Sequence, residues 1–116
     1  MQPLGVHQVS INVGDVAAAV RFYTEVLGLT LRDDRPDFGF DGAWLDLGGQ
    51  QVHLIHQRVP DNLGQHFAIH VADIDAAVAE LAAKGIEVRG PVPVGSGRQA
   101  FLSDPVGNLV ELNQPG

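Results

Sequence analysis

The chain has 116 residues, a length that suits one globular domain with a single core. Its hydrophobic fraction of 45% and charged fraction of 18% are typical of a folded protein. The formal net charge of −7 argues against binding to nucleic acids or anionic membranes, which depends on basic patches, and would suit a cationic ligand. The absence of cysteine excludes disulfides, thiolate nucleophiles and thiolate metal sites.

The amino-terminal residues MQPLGVH lack a basic region followed by an apolar one. No apolar run in the sequence approaches the length that a membrane-spanning helix needs. We therefore expect a cytoplasmic protein without a membrane partner.

Two stretches of the sequence resemble each other at a spacing of 58 residues, the separation of Asp15 from Asp73: VSINVGD at 9–15 and FAIHVAD at 67–73. The same spacing also relates four residues near the end of the first copy to four near the end of the second. Asp46, Gly49, Val52 and Leu54 align with Asp104, Gly107, Val110 and Leu112. Matches that return after a long gap indicate one supersecondary unit used twice.

In the first copy, residues 8–13 alternate between polar and apolar, which predicts a strand with one apolar face. Asp15 is a candidate N-cap for a helix that Gly28 can end. An apolar stripe with helical spacing predicts this helix, and it consists of Val16, Val20, Tyr23 and Leu27. A short strand near 29–33, a loop at Asp34–Gly42 and a hairpin of residues 43–47 and 51–56 follow.

After a polar linker at 58–64, the same order of elements returns. A strand at 66–71 precedes a helix that Asp73 caps and Gly85 ends, and the next strand, within 86–94, is broken by Pro91 and Pro93. A hairpin of residues 97–102 and 108–113 turns at Asp104-Pro105-Val106-Gly107, which suits a type I turn. The sequence therefore predicts an α+β fold of two tandem βαβββ modules, at about 4–57 and 65–114, that form a curled, groove-enclosing mixed sheet with helices on its outer face.

Strand alternation separates the side chains that pack on the helices from those that face the groove. In the first and last strands of each module the helix side is apolar, whereas the polar residues of the other side include Gln8, His53, His66 and Glu111. The spacing of 58 residues relates Gln8 to His66 and His53 to Glu111. Nitrogen and oxygen ligands of this kind suit one divalent Zn, Ni, Co, Mn or Fe ion in a site open to water or substrate.

Several motifs resemble those of the vicinal oxygen chelate superfamily, which includes glyoxalase I, bleomycin- and fosfomycin-resistance proteins, extradiol dioxygenases and methylmalonyl-CoA epimerase. The matching motifs are Val13-Gly14-Asp15, Phe22-Tyr23, Leu27-Gly28-Leu29, His66 before Val71-Ala72-Asp73, and Asp104-Pro105-Val106-Gly107-Asn108 before Glu111-Leu112. The resemblance covers nearly the whole chain. It implies that Gln8, His53, His66 and Glu111 are the metal ligands.

Two of these positions depart from the family pattern. The first ligand is commonly a histidine seven residues before the capping aspartate, and Gln8 stands there instead, with His7 beside it as the alternative ligand for this position. Strand alternation would turn His7 towards the helix unless a bulge re-aims it. The second ligand is often Glu or Gln, and here it is His53.

The resemblance implies a lyase, isomerase or epimerase that acts on a small molecule next to a carbonyl group, through an enolate that the metal stabilises. Glu111, the only carboxylate of the four, would act as the base and His53 as the acid. Members usually work as homodimers, with modules pairing within or between chains. Five other residues are candidates for contacts to the substrate or to the metal ligands, although packing or exposure would also account for each of them. They are His7, His70, Trp44, Arg98 and Asn113.

Three other functions remain open. The first is a metal-free protein that sequesters bleomycin-type antibiotics, which net acidity favours but an aromatic fraction of only 6% does not. The trio His53, His66 and Glu111 also resembles the facial triad of Fe(II) dioxygenases. Thiol-transferring fosfomycin-resistance enzymes use a similar trio, although no cluster of basic residues is present for a phosphonate. The loops Asp34–Gly42 and Pro91–Gly97, which would shape the pocket, carry no motif that identifies a substrate.

Overall fold

The structure, a computed structural model, describes all residues from 1 to 116. The chain divides into two compact units, Met1–Asp61 (unit 1) and Asn62–Gly116 (unit 2). Each unit contains one βαβββ module, so the tandem α+β arrangement predicted from the repeat is confirmed. No helix in the structure has the length and apolar character needed to cross a membrane.

Unit 1 forms one four-stranded mixed sheet with the order β1-β4-β3-β2. The first strand is parallel to the last, and the other neighbours are antiparallel. Its elements are β1 (Gln8–Val13), α1 (Val16–Arg21), β2 (Thr30–Leu31), β3 (Gly42–Leu47) and β4 (Gln50–His56). Because β1 lies directly beside β4, the side chains that these two strands turn to one face come close together.

Unit 2 repeats this topology with the strand order β5-β8-β7-β6, and β5 is parallel to β8. Its elements are β5 (Phe67–His70), α2 (Ile74–Ala83), β6 (Arg89–Val94), β7 (Gly97–Ser103) and β8 (Leu109–Gln114). The predicted helix caps are confirmed in both units. Asp15 accepts a hydrogen bond from the Ala18 N–H and Asp73 from the Ala76 N–H, each at 3.0 Å.

The apolar faces predicted from strand alternation are confirmed. In unit 1, α1 packs on β3 and β4, and in unit 2, α2 packs on β6, β7 and β8. The last strands contribute four buried residues to these faces, which are Val52, Leu54, Val110 and Leu112. The first strands add buried Val13 and Ile69. The opposite faces of β1, β4, β5 and β8 are therefore the ones left for a site.

The helix of unit 1 ends in a π-helical turn over Phe22–Val26, which the apolar stripe did not predict. The Leu27 N–H donates to the Phe22 carbonyl five residues back, at 3.1 Å. This wider turn shifts the helical register by one residue, so that both Phe22 and Tyr23 reach the core, at 7% and 0% exposure. Of the predicted stripe, Tyr23 is buried, whereas the three other residues are only half-buried.

The prediction of a loop at Pro91–Gly97 is wrong, because β6 continues to Val94 and only a tight turn separates it from β7. The strand lies at the edge of the sheet, where proline does not interrupt the hydrogen bonds of a second neighbour. Its pairing with β7 shifts register between Arg89 and Val92, at the first of the two prolines.

The Asp104-Pro105-Val106-Gly107-Asn108 motif is explained by the turn between β7 and β8. Asp104 is 4% exposed, and its Oδ1 accepts hydrogen bonds from the N–H groups of Val106 and Asn108 at 3.0 and 2.8 Å. Its Oδ2 accepts from the Asn108 side chain at 3.0 Å. The Gly107 N–H donates to the Asp104 carbonyl at 3.3 Å, as the predicted type I turn requires. The motif therefore builds the turn that leads into β8 and Glu111.

Candidate metal and substrate site

In unit 2, His66, which immediately precedes β5, and Glu111, in the middle of β8, form a hydrogen-bonded pair. His66 Nε2 lies 3.0 Å from Glu111 Oε1. On the other side of the ring, His66 Nδ1 donates to the Gly64 carbonyl at 2.8 Å, since a carbonyl oxygen can only accept. The Gly64 contact holds the proton on Nδ1, so a neutral His66 presents the lone pair of Nε2 beside the Glu111 carboxylate. This is the tautomer that a metal-ligating histidine needs.

Glu111 is 8% exposed, and both of its oxygens have partners. Oε1 faces His66, and Oε2 accepts from the Asn113 side-chain amide at 2.8 Å. The Gly64 carbonyl, and after it the hydrogen bond with Glu111, raises the pKa of His66 above its ordinary value. At low pH a proton on Nε2 therefore joins His66 to Glu111. Loss of that proton leaves a nitrogen lone pair and a carboxylate oxygen, both of which can bind a cation.

In unit 1, the equivalent pair is Gln8 on β1 and His53 on β4. Gln8 Nε2 donates to His53 Nδ1 at 2.9 Å, and His53 Nε2 donates to Gln51 Oε1 at 2.7 Å. This pattern places the imidazole proton on Nε2. Burial lowers the pKa of His53, with further electrostatic contributions from the neighbouring His7, Arg32 and Arg35. His53 is thus a neutral imidazole at pH 7, with glutamine side chains on both of its nitrogens.

The four predicted ligands therefore divide into two pairs, one in each unit, and the members of each pair are 45 residues apart in the chain. Neither unit by itself gathers three or more His, Asp or Glu side chains that could hold a metal ion. The chemistry of the set nevertheless fits a divalent transition ion, because it offers two imidazoles, one carboxylate and one amide.

A cavity of about 510 Å³ opens beside His53 in unit 1. Trp44 lines it and stacks on the His53 ring with a centroid distance of 4.6 Å. Phe38, Phe40 and Arg35 reach the same cavity from the loop that precedes β3. The sequence analysis expected this loop to shape the pocket but did not single out these three residues, nor Gln51, as site residues. The available signal was the pair of phenylalanines in a polar, glycine-rich loop, where no core requires them.

The predicted direction of His7 is wrong, and Arg98, which was only a candidate for substrate contact, lies away from the site. His7 does not face the helix: it lies just before β1 and its Nδ1 is 2.8 Å from Gln8 Oε1, at the cavity, because strand alternation begins only at Gln8. Arg98 does not face the side of Glu111. Its guanidinium forms two hydrogen bonds with Asp75 of α2, at 3.0 and 2.7 Å, so it lies on the helix side of the sheet. His70 is exposed at the end of β5.

Residues 5–112 match the family described as the Glyoxalase/Bleomycin resistance protein/Dioxygenase superfamily. The chain belongs to this superfamily. The resemblance predicted from the motifs is therefore confirmed.

Named relatives in the superfamily differ in what they do. The lactoylglutathione lyase GLX1 of Arabidopsis thaliana is 33% identical over 90% of this chain, which spans only 42% of that relative. The 2-epi-5-epi-valiolone epimerase of Actinomyces sp is 32% identical, and the match covers 94% of this chain and 78% of the epimerase. Among solved structures, TnmS3, an antibiotic binding protein from Streptomyces sp. CB03234, is 31% identical with a TM-score of 0.82, covering 100% of this chain and 99% of TnmS3.

Proposed function

We propose that this domain is a divalent-metal-dependent lyase, isomerase or epimerase that acts on a small molecule next to a carbonyl group. The observation that carries the proposal is the His66–Glu111 pair, in which the Gly64 carbonyl selects the metal-ligating tautomer and the carboxylate lies 3.0 Å away. Relatives named as a lyase and as an epimerase support this class of reaction.

The proposed metal ligands are Gln8, His53, His66 and Glu111, supplied by one chain or by two copies in a homodimer. Zn, Ni, Co, Mn and Fe are the candidate ions, since all of them accept such nitrogen and oxygen ligands. When bound, a divalent ion would act as a Lewis acid for the negative charge that develops on the substrate oxygen.

Glu111 is the proposed base that removes the proton from the carbon next to the carbonyl. It is the only carboxylate of the set, and the hydrogen bond from Asn113 to Oε2 orients it with Oε1 directed at His66. His53 is the proposed acid, because it holds the position that corresponds to Glu111 in the other unit and carries a proton on Nε2, which it donates to Gln51.

The test is exchange of the substrate proton in D₂O. Protein loaded in turn with Zn, Ni, Co, Mn or Fe(II) is incubated with a 2-oxoaldehyde–glutathione adduct or an acyl-CoA epimer, and deuterium at the carbon next to the carbonyl is measured by mass spectrometry. We expect Glu111→Gln to lower exchange by at least about 100-fold, the range for loss of a general base. The control His56→Ala, at the exposed end of β4, should exchange at the rate of the unmodified protein. Exchange by Glu111→Gln within tenfold of that rate would refute the assignment.

A second candidate function is metal-free binding of a small molecule. The aromatic cavity beside His53 favours it, and the similarity to TnmS3, named as an antibiotic binding protein, supports it. Treatment with EDTA distinguishes the two functions. A binding protein retains its ligand after treatment with EDTA and releases it chemically unchanged, whereas the proposed enzyme loses turnover.

A further inference from the structure

Four rings in unit 1 form a continuous series that leads from the surface to the candidate site. Phe40 stacks on Phe38 at 5.7 Å between centroids, Phe38 contacts Trp44 at 6.1 Å, and Trp44 stacks on His53 at 4.6 Å. Phe38 and Phe40 are each 50% exposed. Large apolar rings that line a cavity and stay half-exposed provide a surface that a flat ligand can cover.

The charge of this cavity is opposite to that of the whole chain. The protein contains 14 acidic residues and 7 Lys and Arg residues, yet no Asp or Glu lines the cavity. Its one permanently charged residue is Arg35, whose guanidinium carbon lies 5.0 Å from the Phe38 ring centroid and 5.4 Å from that of Phe40. A cationic ligand would therefore meet a like charge with no carboxylate to pair with.

Arg35 is held in this place by the backbone around it. Its Nη2 donates to the Phe40 carbonyl at 3.1 Å, and the missing Cβ of Gly42 leaves room for the guanidinium. A guanidinium has five N–H donors, so most of those on Arg35 stay available to an anionic group. The volume of about 510 Å³ lies within the range of small-molecule sites.

We propose that the cavity binds a planar aromatic molecule with a carboxylate or a similar anionic oxygen, its ring stacked on Phe38, Phe40 and Trp44 and its charge paired with Arg35. This inference names the substrate class of the site described above, and it rests on the proposed function only in treating the bound molecule as a substrate. It replaces the cationic ligand that the net charge of the chain would suit.

The test is isothermal titration calorimetry with three probes on EDTA-treated, full-length protein. 2-Naphthoate carries both features, cyclohexanecarboxylate lacks the aromatic ring, and 2-naphthylmethylammonium reverses the charge. We expect 2-naphthoate to bind once per chain and at least about tenfold more tightly than either of the other probes. Because metal is absent, this result is independent of whether the protein is a metalloenzyme, so failure of one proposal is distinguishable from failure of the other.

Matched variants locate the bound probe. Arg35→Gln should weaken 2-naphthoate by about three- to tenfold, whereas Arg21→Gln, with the same change in net charge outside the cavity, should not. The double variant Phe38→Ala/Phe40→Ala should weaken it by at least about tenfold, with Leu31→Ala, 51% exposed on β2, as the control. Equal affinity for the cationic probe, or binding that these cavity variants do not change, would overturn the proposal.

Discussion

His66 and Glu111 are joined across two parallel strands with 3.0 Å between Nε2 and Oε1, and Gln8 and His53 occupy the corresponding positions of the other unit at 2.9 Å. The repeat thus preserves the position of the pair while changing its chemistry. One pair combines an imidazole with a carboxylate, and the other combines a neutral imidazole with an amide. The two pairs should therefore shift the pKa values of their histidines in opposite directions.

In the metal-free protein, we expect the pKa of His66 to lie above the ordinary value of about 6.5 and that of His53 to lie below it. The Gly64 carbonyl and Glu111 stabilise protonated His66, whereas burial disfavours protonated His53. A titration of the histidine Cε1–H signals by NMR in the presence of EDTA measures both. Glu111→Gln should lower the pKa of His66 only partly, because the Gly64 contact remains. The reverse order of the two pKa values would contradict this description of the pairs.

The same shift predicts how stability depends on pH. A raised pKa in the folded state means that the His66–Glu111 pair stabilises the fold fully below the unfolded pKa of about 6.5 and loses this effect as pH rises through the folded pKa. Glu111→Gln should therefore reduce the free energy of unfolding more at pH 5.5 than at pH 8.5. The difference should be below about 1 kcal/mol, since His66 is partly exposed. Urea denaturation of metal-free protein at the two pH values tests this, and a larger loss at pH 8.5 would count against it.

Gln51 should act as a positioning residue for His53. Its Oε1 accepts the Nε2 proton at 2.7 Å and so directs Nδ1 towards Gln8. Loss of such a partner typically lowers metal affinity, and we expect about a tenfold loss in Gln51→Ala by competition with a chromophoric chelator. Gln50→Ala, a change to the exposed neighbour on β4, is the control. Equal affinities in the two variants would show that Gln51 does not orient the ring.

Gly42 should be required for both the fold and the cavity of unit 1. A Cβ at this position would collide with the Leu54 carbonyl and lie 2.9 Å from the Arg35 guanidinium. We expect Gly42→Ala to lower the free energy of unfolding by about 1–3 kcal/mol in urea denaturation. Gly49→Ala, where a Cβ meets nothing within 4 Å, should change it by less than about 0.5 kcal/mol. Similar values for the two variants would rule out the predicted collision.

Features governed by local physics were predictable from the sequence. The caps at Asp15 and Asp73, the turn at Asp104 and the apolar faces of the strands each depend on a few neighbouring residues, and the repeat showed the caps and the apolar faces twice. The π-helical turn was not predictable in this way, because the packing of Phe22 and Tyr23 against the core decides it.

The residues of the candidate site also divide into those that local sequence predicts and those that it does not. Strand alternation and the spacing of 58 residues identified the pairs that the structure brings together, since both depend only on position along a strand. The role of Arg98 was left open between substrate contact and exposure, because its partner, Asp75, belongs to another element 23 residues away. Phe38 and Phe40 were missed because a loop has no periodicity from which the direction of a side chain can be read.

The central claim, that this chain holds one divalent metal ion through His66 and Glu111, is tested most directly by elemental analysis of untagged protein. The unmodified chain is compared with the His66→Ala/Glu111→Ala double variant and with His70→Ala, after circular dichroism has shown that all three are folded. We predict one divalent ion per chain in the unmodified protein and in His70→Ala, and none in the double variant. A protein without metal even after reconstitution with Zn, Ni, Co, Mn and Fe(II) would contradict the claim.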